Sequence, residues 1–493
     1  MRRVYQRAPE ALRRLAPPRP LALLLLVVVA TGLVWSLTVP SFQAPDETAH
    51  FAYVQSLAEN FELSGLPNRM GLSTDEGIAQ SDIGALRGAF YPVPSPPDWS
   101  RADWHAYQAL ERSRARPPAS DGSGFTSATG NPPLYYLVAS APYLIDHGGT
   151  VFGRLWAIRL MGVLLLALTA LAAWLLAGEV VGRRRIAQLA CAAVAALLPM
   201  ATFISTAVTP DGMLMTTWTF ALWLGARVIN RRLPAIDSMV LCAVTAAAVL
   251  TKATSYALVG PVLLALLLGW LRRPGSERRA AALRAFPGLV ILGVPVLLWV
   301  TLAPSLGGVS ITHISTSVSH PFGIRDFLGY VWQFYLPRLP FMHPFTQTPQ
   351  LGVYAIWVRE LTGIFGWLDV YLPDWLYQLG AVSAGALSIG LIAVLVRVRS
   401  RRVLALLAFF ALTVLALLVL LHVAGYSALI SGGGAFLQGR YLLPAVGLLG
   451  LAVGVVLSRL PVRARPLACG GLVTALLAWQ VISLVAIVEA YYL

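Results

Sequence analysis

Long apolar runs alternate with short polar breaks along this chain, and the lengths of the runs predict helices that cross a bilayer. A helix needs about 17–25 mainly apolar residues to span the hydrocarbon core. Such runs lie near residues 21–39, 152–181, 186–205, 211–229, 236–251, 254–271, 286–303, 376–396, 403–422, 441–458 and 467–488, giving about eleven predicted spans. Two long intervals remain, 40–151 and 304–375. Leu134 to Ile145, inside the first, is apolar but short of a span and begins after Pro132 and Pro133. It reads as a helix lying along the membrane surface. Tyr91 to Pro97 and Ala115 to Asn131 are rich in Pro, Ser and Gly and read as loop. No repeat of fixed period is present. The first run is too long for the core of a signal peptide, and no small-residue cleavage site follows it, so it is expected to be kept as a span.

Composition agrees and charge supplies orientation. The chain is 57% hydrophobic and 12% charged, with mean hydropathy +0.70, against about 25% charged in soluble domains. Basic residues cluster at Arg2 to Arg19, Arg183 to Arg185, Arg231 and Arg232, Arg272 to Arg284, Arg397 to Arg402 and Arg459 to Arg465. With eleven spans and a cytoplasmic N-terminus, every cluster falls on the cytoplasmic side. The net charge of +15 is therefore the positive-inside pattern, and a nucleic-acid partner is excluded. Eighteen of the 22 acidic residues fall outside, the exceptions being Glu10, Glu179, Asp237 and Glu277. The expected class is an all-α polytopic membrane protein with two long extracytoplasmic loops carrying interfacial helices. Its organisation is a basic cytoplasmic N-terminus over 1–20, a first span over 21–39, and a first outer loop over 40–151. Spans two to seven occupy 152–303, a second outer loop 304–375, and spans eight to eleven 376–493. The wealth of Arg, Ala, Leu and Pro points to a GC-rich bacterial genome. Cys191, Cys242 and Cys469 all lie inside apolar runs, so no disulfide framework or thiolate metal site is implied.

The chemistry-bearing residues sit at the outer breaks. Ala44 to Phe51, APDETAHF, begins just past the first span and sets Asp46 and Glu47 at a membrane lip. Pro45 suits the first position of a helix. On a helix over 46–58, Asp46 and His50 share one face with Tyr53 beside them. These residues fit a general base for an acceptor hydroxyl, and they equally fit an acidic helix start with a surface His. Among the 37 basic residues Lys252 is the only Lys, in VLTKATSY. A cation near hydrocarbon suits a phosphate ligand or snorkels to the interface. Asp211, after Thr209-Pro210, is a cap or a catalytic group. Arg440, in QGRYLLP, runs against the positive-inside trend and fits a fork onto phosphate or a partner for Asp46. Arg154 and Arg159, at the outer start of the second span, are further phosphate candidates. FGWLDVYLPDW, Phe365 to Trp375, reads as an interfacial aromatic belt before a sugar-stacking platform. His313, His320 and His343 lie in the second loop. No HExxH or close His pair occurs, so no metal or cofactor is assigned, and dependence on a divalent metal stays open. GxxxxGK[ST], GxGxxG and GxSxG motifs are absent, and with them support for ATP or nucleotide-sugar chemistry.

APDETAHFAY, NPPLYYL, FGWLDVYLP and QGRYLLP, spread over about 45–445, resemble in order and spacing a large bacterial family of polytopic membrane proteins related to the GT-C glycosyltransferases. The acidic pair after the first span, the TK pair between two spans and the second long outer loop are similar to the GT-C pattern itself. The resemblance implies a GT-C-like fold in the cell membrane, with its site on the extracytoplasmic face. It implies transfer of a sugar from a polyprenyl-phosphate donor to a glycan, lipid or protein acceptor. Asp46 would then be the base, with Glu47 and His50 beside it. Lys252, Arg440 and Arg159 would hold the donor phosphate, with Asp211 and Tyr53 as further site residues. The chain is expected to lack the large soluble C-terminal domain of several GT-C branches, which leaves the acceptor open. A transporter or flippase of lipid-linked sugars and a non-enzymatic membrane scaffold are the competing readings. No inverted repeat of the kind common in transporters is seen.

Overall fold

The computed structural model describes residues 18–85, 101–112, 117–302, 323–342, 344, 352–431 and 436–493. Tyr91 to Pro97, His313, His320 and His343 lie outside the described residues. The molecule is built almost entirely of helices. Helix α1 (Arg19–Thr38) starts after Pro18, carries Pro20 in its first turn and ends before Pro40, so prolines mark both limits. Helices α2 (Glu47–Asn60), α3 (Thr74–Asp82), α4 (Arg101–Arg112) and α5 (Leu134–Ile145) follow in the first long interval. Ser73 starts α3 by accepting the Glu76 N–H at 3.1 Å. The short apolar helix has the bounds its hydrophobic run predicts.

Helix α6 (Val151–Val181) is the central long helix and packs along α1, α7 (Arg185–Leu197) and α9 (Asp211–Asn230). Thr150 caps its start through the Gly153 N–H at 3.0 Å. Gly182, at φ +78°, ends it in a conformation few other residues hold. Pro199 starts α8 (Pro199–Ser205), and Leu198 before it is forced into extended backbone. As a result α7 and α8 form one apolar element bent by 57°. The remaining elements are α10 (Ala235–Val249), α11 (Tyr256–Leu271), α12 (Gly275–Leu302), α13 (Ile324–Tyr335), α14 (Asp374–Leu395), α15 (Arg401–Ile430), α16 (Val446–Leu457) and α17 (Ala464–Tyr491). A π-helical turn, Tyr354–Glu360, and a 3₁₀ turn, Gly439–Ala445, complete the helical set.

Eight helical segments among the described residues are long and apolar enough to cross a membrane, or nine when α7 and α8 count as one bent span. The expected eleven therefore depend on α9 and α10. Helix α10 is only 15 residues long. Helix α9 carries polar residues that face protein, as where Thr216 meets Thr169 Oγ1 at 2.9 Å.

Two expectations change. Helix α2 begins at Glu47, not Pro45, and Asp46 stands before it in the left-handed region at φ 60°. An Asp tolerates that conformation, and here its carboxylate is drawn away to groups on other elements. Phe365 to Trp375 is not an aromatic belt throughout. Ile364–Phe365 (β1) and Val370–Tyr371 (β2) pair as an antiparallel hairpin. Phe365 is buried against Trp35 and Phe203, with ring centroids 5.1 and 5.3 Å away, while Tyr371 and Trp375 are exposed. The Trp367 indole N–H donates to the Phe42 carbonyl at 3.2 Å, tying the hairpin to the segment before α2.

Candidate active site

Asp46 and Glu47 are neighbours in sequence and have opposite surroundings. Glu47 is fully buried. Arg159 on α6 forks onto its carboxylate, Nε to Oε1 at 2.8 Å and Nη2 to Oε2 at 2.6 Å. The Val208 N–H also donates to Oε1 at 2.9 Å. The rest of the Arg159 guanidinium is spent on carbonyls at the end of α1, those of Ser36, Val39 and Pro40. A cation there satisfies the last free carbonyls of the helix. This one pair thus joins α1, α2, α6 and the turn before α9.

Asp46 is one-third exposed. Arg440 Nη2 donates to its Oδ2 at 2.6 Å, and Ser127 Oγ donates to Oδ1 at 3.3 Å. Arg440 is buried on the 3₁₀ turn. Its Nη1 donates to the Pro45 carbonyl at 3.3 Å, and its Nε has no hydrogen-bond partner among the described residues. A second pair lies alongside, with Lys252 Nζ donating to Asp211 Oδ1 at 2.6 Å. Asp211 opens α9, and Lys252 sits in the break before a 3₁₀ turn, Ala253–Ser255. Tyr441 stands between the two cations, its ring centroid 5.4 Å from Lys252 Nζ and 5.4 Å from Arg440 Cζ.

Buried His50, one turn past Asp46, shares a 2.9 Å hydrogen bond with the Tyr136 hydroxyl. Tyr136 stacks on Tyr53 with centroids 3.9 Å apart, and the Tyr53 hydroxyl donates to the Asn131 carbonyl at 3.4 Å. Leu134 donates its N–H to the Leu250 carbonyl at 3.0 Å, which docks the start of α5 beside the Lys252 break. APDETAHF, NPPLYY, the TK pair and QGRYLLP therefore converge on one place.

Burial acts to raise the Asp46 carboxyl, but Arg440, His50 and Lys252 outweigh it and hold the group below its ordinary value. Asp46 is thus a carboxylate at neutral pH. Burial, aided by Lys252 and Arg440 against the pull of Asp46 and Asp211, pushes the His50 imidazole down to about 4. His50 is therefore neutral at the same pH.

Of the sequence candidates, the structure brings together Asp46, His50, Arg440, Lys252, Asp211 and Tyr53. It sets Glu47 and Arg159 aside, bound to each other with no polar atom left over for a ligand. Arg154 is also apart, fully buried and donating to Asp75 Oδ2 at 2.6 Å and the Tyr143 hydroxyl at 2.7 Å. Among the described residues no group of three or more His, Cys, Asp or Glu is placed to hold a metal.

Sequence reasoning missed Ser127, Tyr136 and above all Glu360. Glu360, at the end of the π-helical turn, accepts the Gly439 N–H at 2.6 Å, one residue before Arg440. A Cβ on Gly439 would meet Glu360 Cβ at 2.6 Å and the Ile356 carbonyl at 2.7 Å, so the contact requires glycine. The G-R dipeptide before an apolar run was the available signal.

Burial pushes the Glu360 carboxyl up to about 7, against the Gly439 N–H and Arg440, which pull it down. A carboxyl raised in the fold stabilises below its unfolded pKa, near 4.5, and that stability is lost as pH rises through the folded value. Thermal unfolding at about pH 5 and about pH 8 should therefore show a smaller gap favouring the acid side in Glu360→Gln than in wild type. His50 works in the opposite sense, losing stability as pH falls from 6.5 toward about 4, and is common to both proteins. An unchanged gap would remove Glu360 as a near-neutral titrating group.

A family model described as "Predicted membrane protein (DUF2142)" matches residues 29–449. Among curated proteins no sequence matches the chain. Several solved structures are similar. One is apo ArnT from Cupriavidus metallidurans, at 14% identity and TM-score 0.47, covering 94% of this chain and 75% of that one. A second is the Archaeoglobus fulgidus oligosaccharyltransferase tethered to an acceptor peptide, at 12% identity and TM-score 0.48, covering 96% and 55%. A third is the arabinosyltransferase EmbB from Mycobacterium smegmatis, at 13% identity and TM-score 0.37, covering 96% and 41%.

Proposed function

Because the chain belongs to the membrane-protein family described as DUF2142, matched over residues 29–449, we propose that its polar cluster acts on a substrate held in the bilayer. The reading is an integral membrane glycosyltransferase of the cell membrane, working on the extracytoplasmic face. It transfers a sugar from a polyprenyl-phosphate donor to a hydroxyl of a glycan, lipid or protein. The observation that carries it is the convergence of the Asp46–Arg440 and Lys252–Asp211 pairs, with Asp46 the member most open to solvent.

In this mechanism Asp46 takes the proton of the acceptor hydroxyl as its oxygen attacks the anomeric carbon. The bond from that carbon to the donor phosphate oxygen breaks, and the electron pair leaves with the polyprenyl phosphate. That leaving group is an anion as it departs and needs positive charge, which Lys252 and Arg440 supply. Arg440 spends two of its five N–H donors on Asp46 and the Pro45 carbonyl, and its Nε has no partner among the described residues. Neutral His50 fixes Tyr136 at the edge of the cluster and adds no competing charge. A lipid chain has a place beside the cluster, because Leu442 and Leu443, directly after Tyr441, line a long apolar groove. Glu47 and Arg159 have no part in the reaction in this mechanism and hold the frame. No step is assigned to a metal.

Proteoliposomes given polyprenyl-phosphate sugars and an envelope acceptor fraction should release polyprenyl phosphate and glycosylated acceptor. Lys252→Gln should lower kcat/KM by about tenfold to a hundredfold, the range for losing one charge-assisted bond. Movement of labelled lipid across the bilayer without sugar transfer would overturn the enzyme and favour a flippase.

A further inference from the structure

The apolar groove has a second end, remote from Asp46. It has a volume of about 880 Å³ and runs beside α16 from Leu442 to Arg459, about 25 Å at about 1.5 Å per residue. Apolar residues of α14 and α15, including Leu391, Leu407 and Val414, line its length. At the far end the lining turns basic, with Arg184, Ser458 and Arg459. A smaller pocket of about 320 Å³ adjoins there. It shares Arg184 and Ser458 with the groove and adds Arg185 and Arg465. A cationic mouth thus opens into an apolar channel at the end where the arginine pattern places the cytoplasm.

Some of the cations at this end are held by protein groups. Arg227 is paired with Asp237 at 2.8 Å and Arg273 with Glu277 at 2.8 Å. Arg402 donates to Asn230 and to the Glu179 carbonyl. No hydrogen bond or ion pair joins the guanidinium groups of Arg184, Arg185 or Arg459 to another described residue. Arg465 uses only its Nε, on the Leu460 carbonyl at 2.9 Å. Positive charge without a protein partner, beside an apolar channel at headgroup depth, matches one kind of molecule.

We propose that this mouth binds an anionic phospholipid of the inner leaflet. Its phosphate sits among Arg184, Arg185, Arg459 and Arg465, with Ser458 as a further donor, and its acyl chains fill the inner half of the groove. Charge complementarity selects the headgroup, and basic pockets between helices on the cytoplasmic side are suited to such lipids. The site is separate from the Asp46 cluster and does not depend on the function proposed for it.

The test uses the full chain in detergent. Phosphatidylglycerol should raise the thermal midpoint at lower concentration than phosphatidylcholine of the same chains. Native mass spectrometry should retain bound phosphatidylglycerol on wild type. The triple variant Arg184→Gln, Arg185→Gln, Arg465→Gln should lose that lipid, with affinity falling about fivefold per arginine removed. A control variant, Arg279→Gln with Arg284→Gln, should retain it. Equal stabilisation by the two lipids, or equal loss in the control, overturns the proposal. The wild-type lipid comparison decides the matter even if the triple variant fails to fold.

Discussion

Replacing Asp46 by Asn is expected to lower sugar transfer by about 10²–10⁴-fold, the contribution typical of a positioned general base, while leaving the protein folded. The substitution keeps the shape and one acceptor oxygen for Arg440, turns an amide N–H toward the Ser127 hydroxyl, and removes the negative charge and with it the capacity to take a proton. Asp46 is one-third exposed, so water screens much of what Arg440 loses. Transfer from a polyprenyl-phosphate sugar in proteoliposomes reads the activity, and the thermal midpoint of the same sample reads the fold. Wild-type turnover in the Asp46→Asn protein would end the assignment. Low turnover with an unchanged KM for donor would place the loss in chemistry. A raised KM alone would make Asp46 a partner of Arg440 and nothing more.

The neighbouring carboxylate should respond in the reverse way. Glu47→Gln is expected to cost about 3–5 kcal/mol of stability, as when one member of a buried ion pair is removed. Arg159 would remain buried, facing a neutral amide and three carbonyls. The lost charge also loosens the junction of α1, α2 and α6, so yield of folded protein should fall with the thermal midpoint. Thermal unfolding in detergent, compared with Asp46→Asn, checks this. A midpoint equal to wild type would show that the lock is dispensable. The two variants differ by one position, so their contrast separates a group that reacts from one that holds.

Much of the architecture was open to inspection in the sequence because it depends on local rules. Apolar length marked the helices, and Pro40 and Gly182 stand at the limits of their runs, whereas the 57° break at Pro199 fell inside the single span expected over 186–205. The bounds of Leu134–Ile145 followed from its run. The start of α2 did not. Its helical pattern allowed Pro45, and the pull of Arg440, 394 residues away, set Asp46 in the left-handed region. The aromatic segment after Gly363 failed for the same reason, since a belt and a buried hairpin share one composition. Glu360 itself carried no signal, because its partner is a backbone N–H, and only the G-R dipeptide at Gly439 marked the contact.

The sequence alone determined that the chain crosses a membrane many times. Its placing of Asp46, Lys252 and Arg440 at the breaks between spans also nominated them as candidates for the proposed reaction. Hydropathy and residue type act over a few turns and need no tertiary contact. Only the tertiary structure decided which carboxylate is available and which cation is spent. Asp46 and Glu47 have the same chemistry and adjacent places. One meets Arg440 beside solvent, and the other is enclosed by Arg159, Val208 and the end of α1. Burial and pairing are properties of the packed chain, and they depend on residues far apart in the sequence.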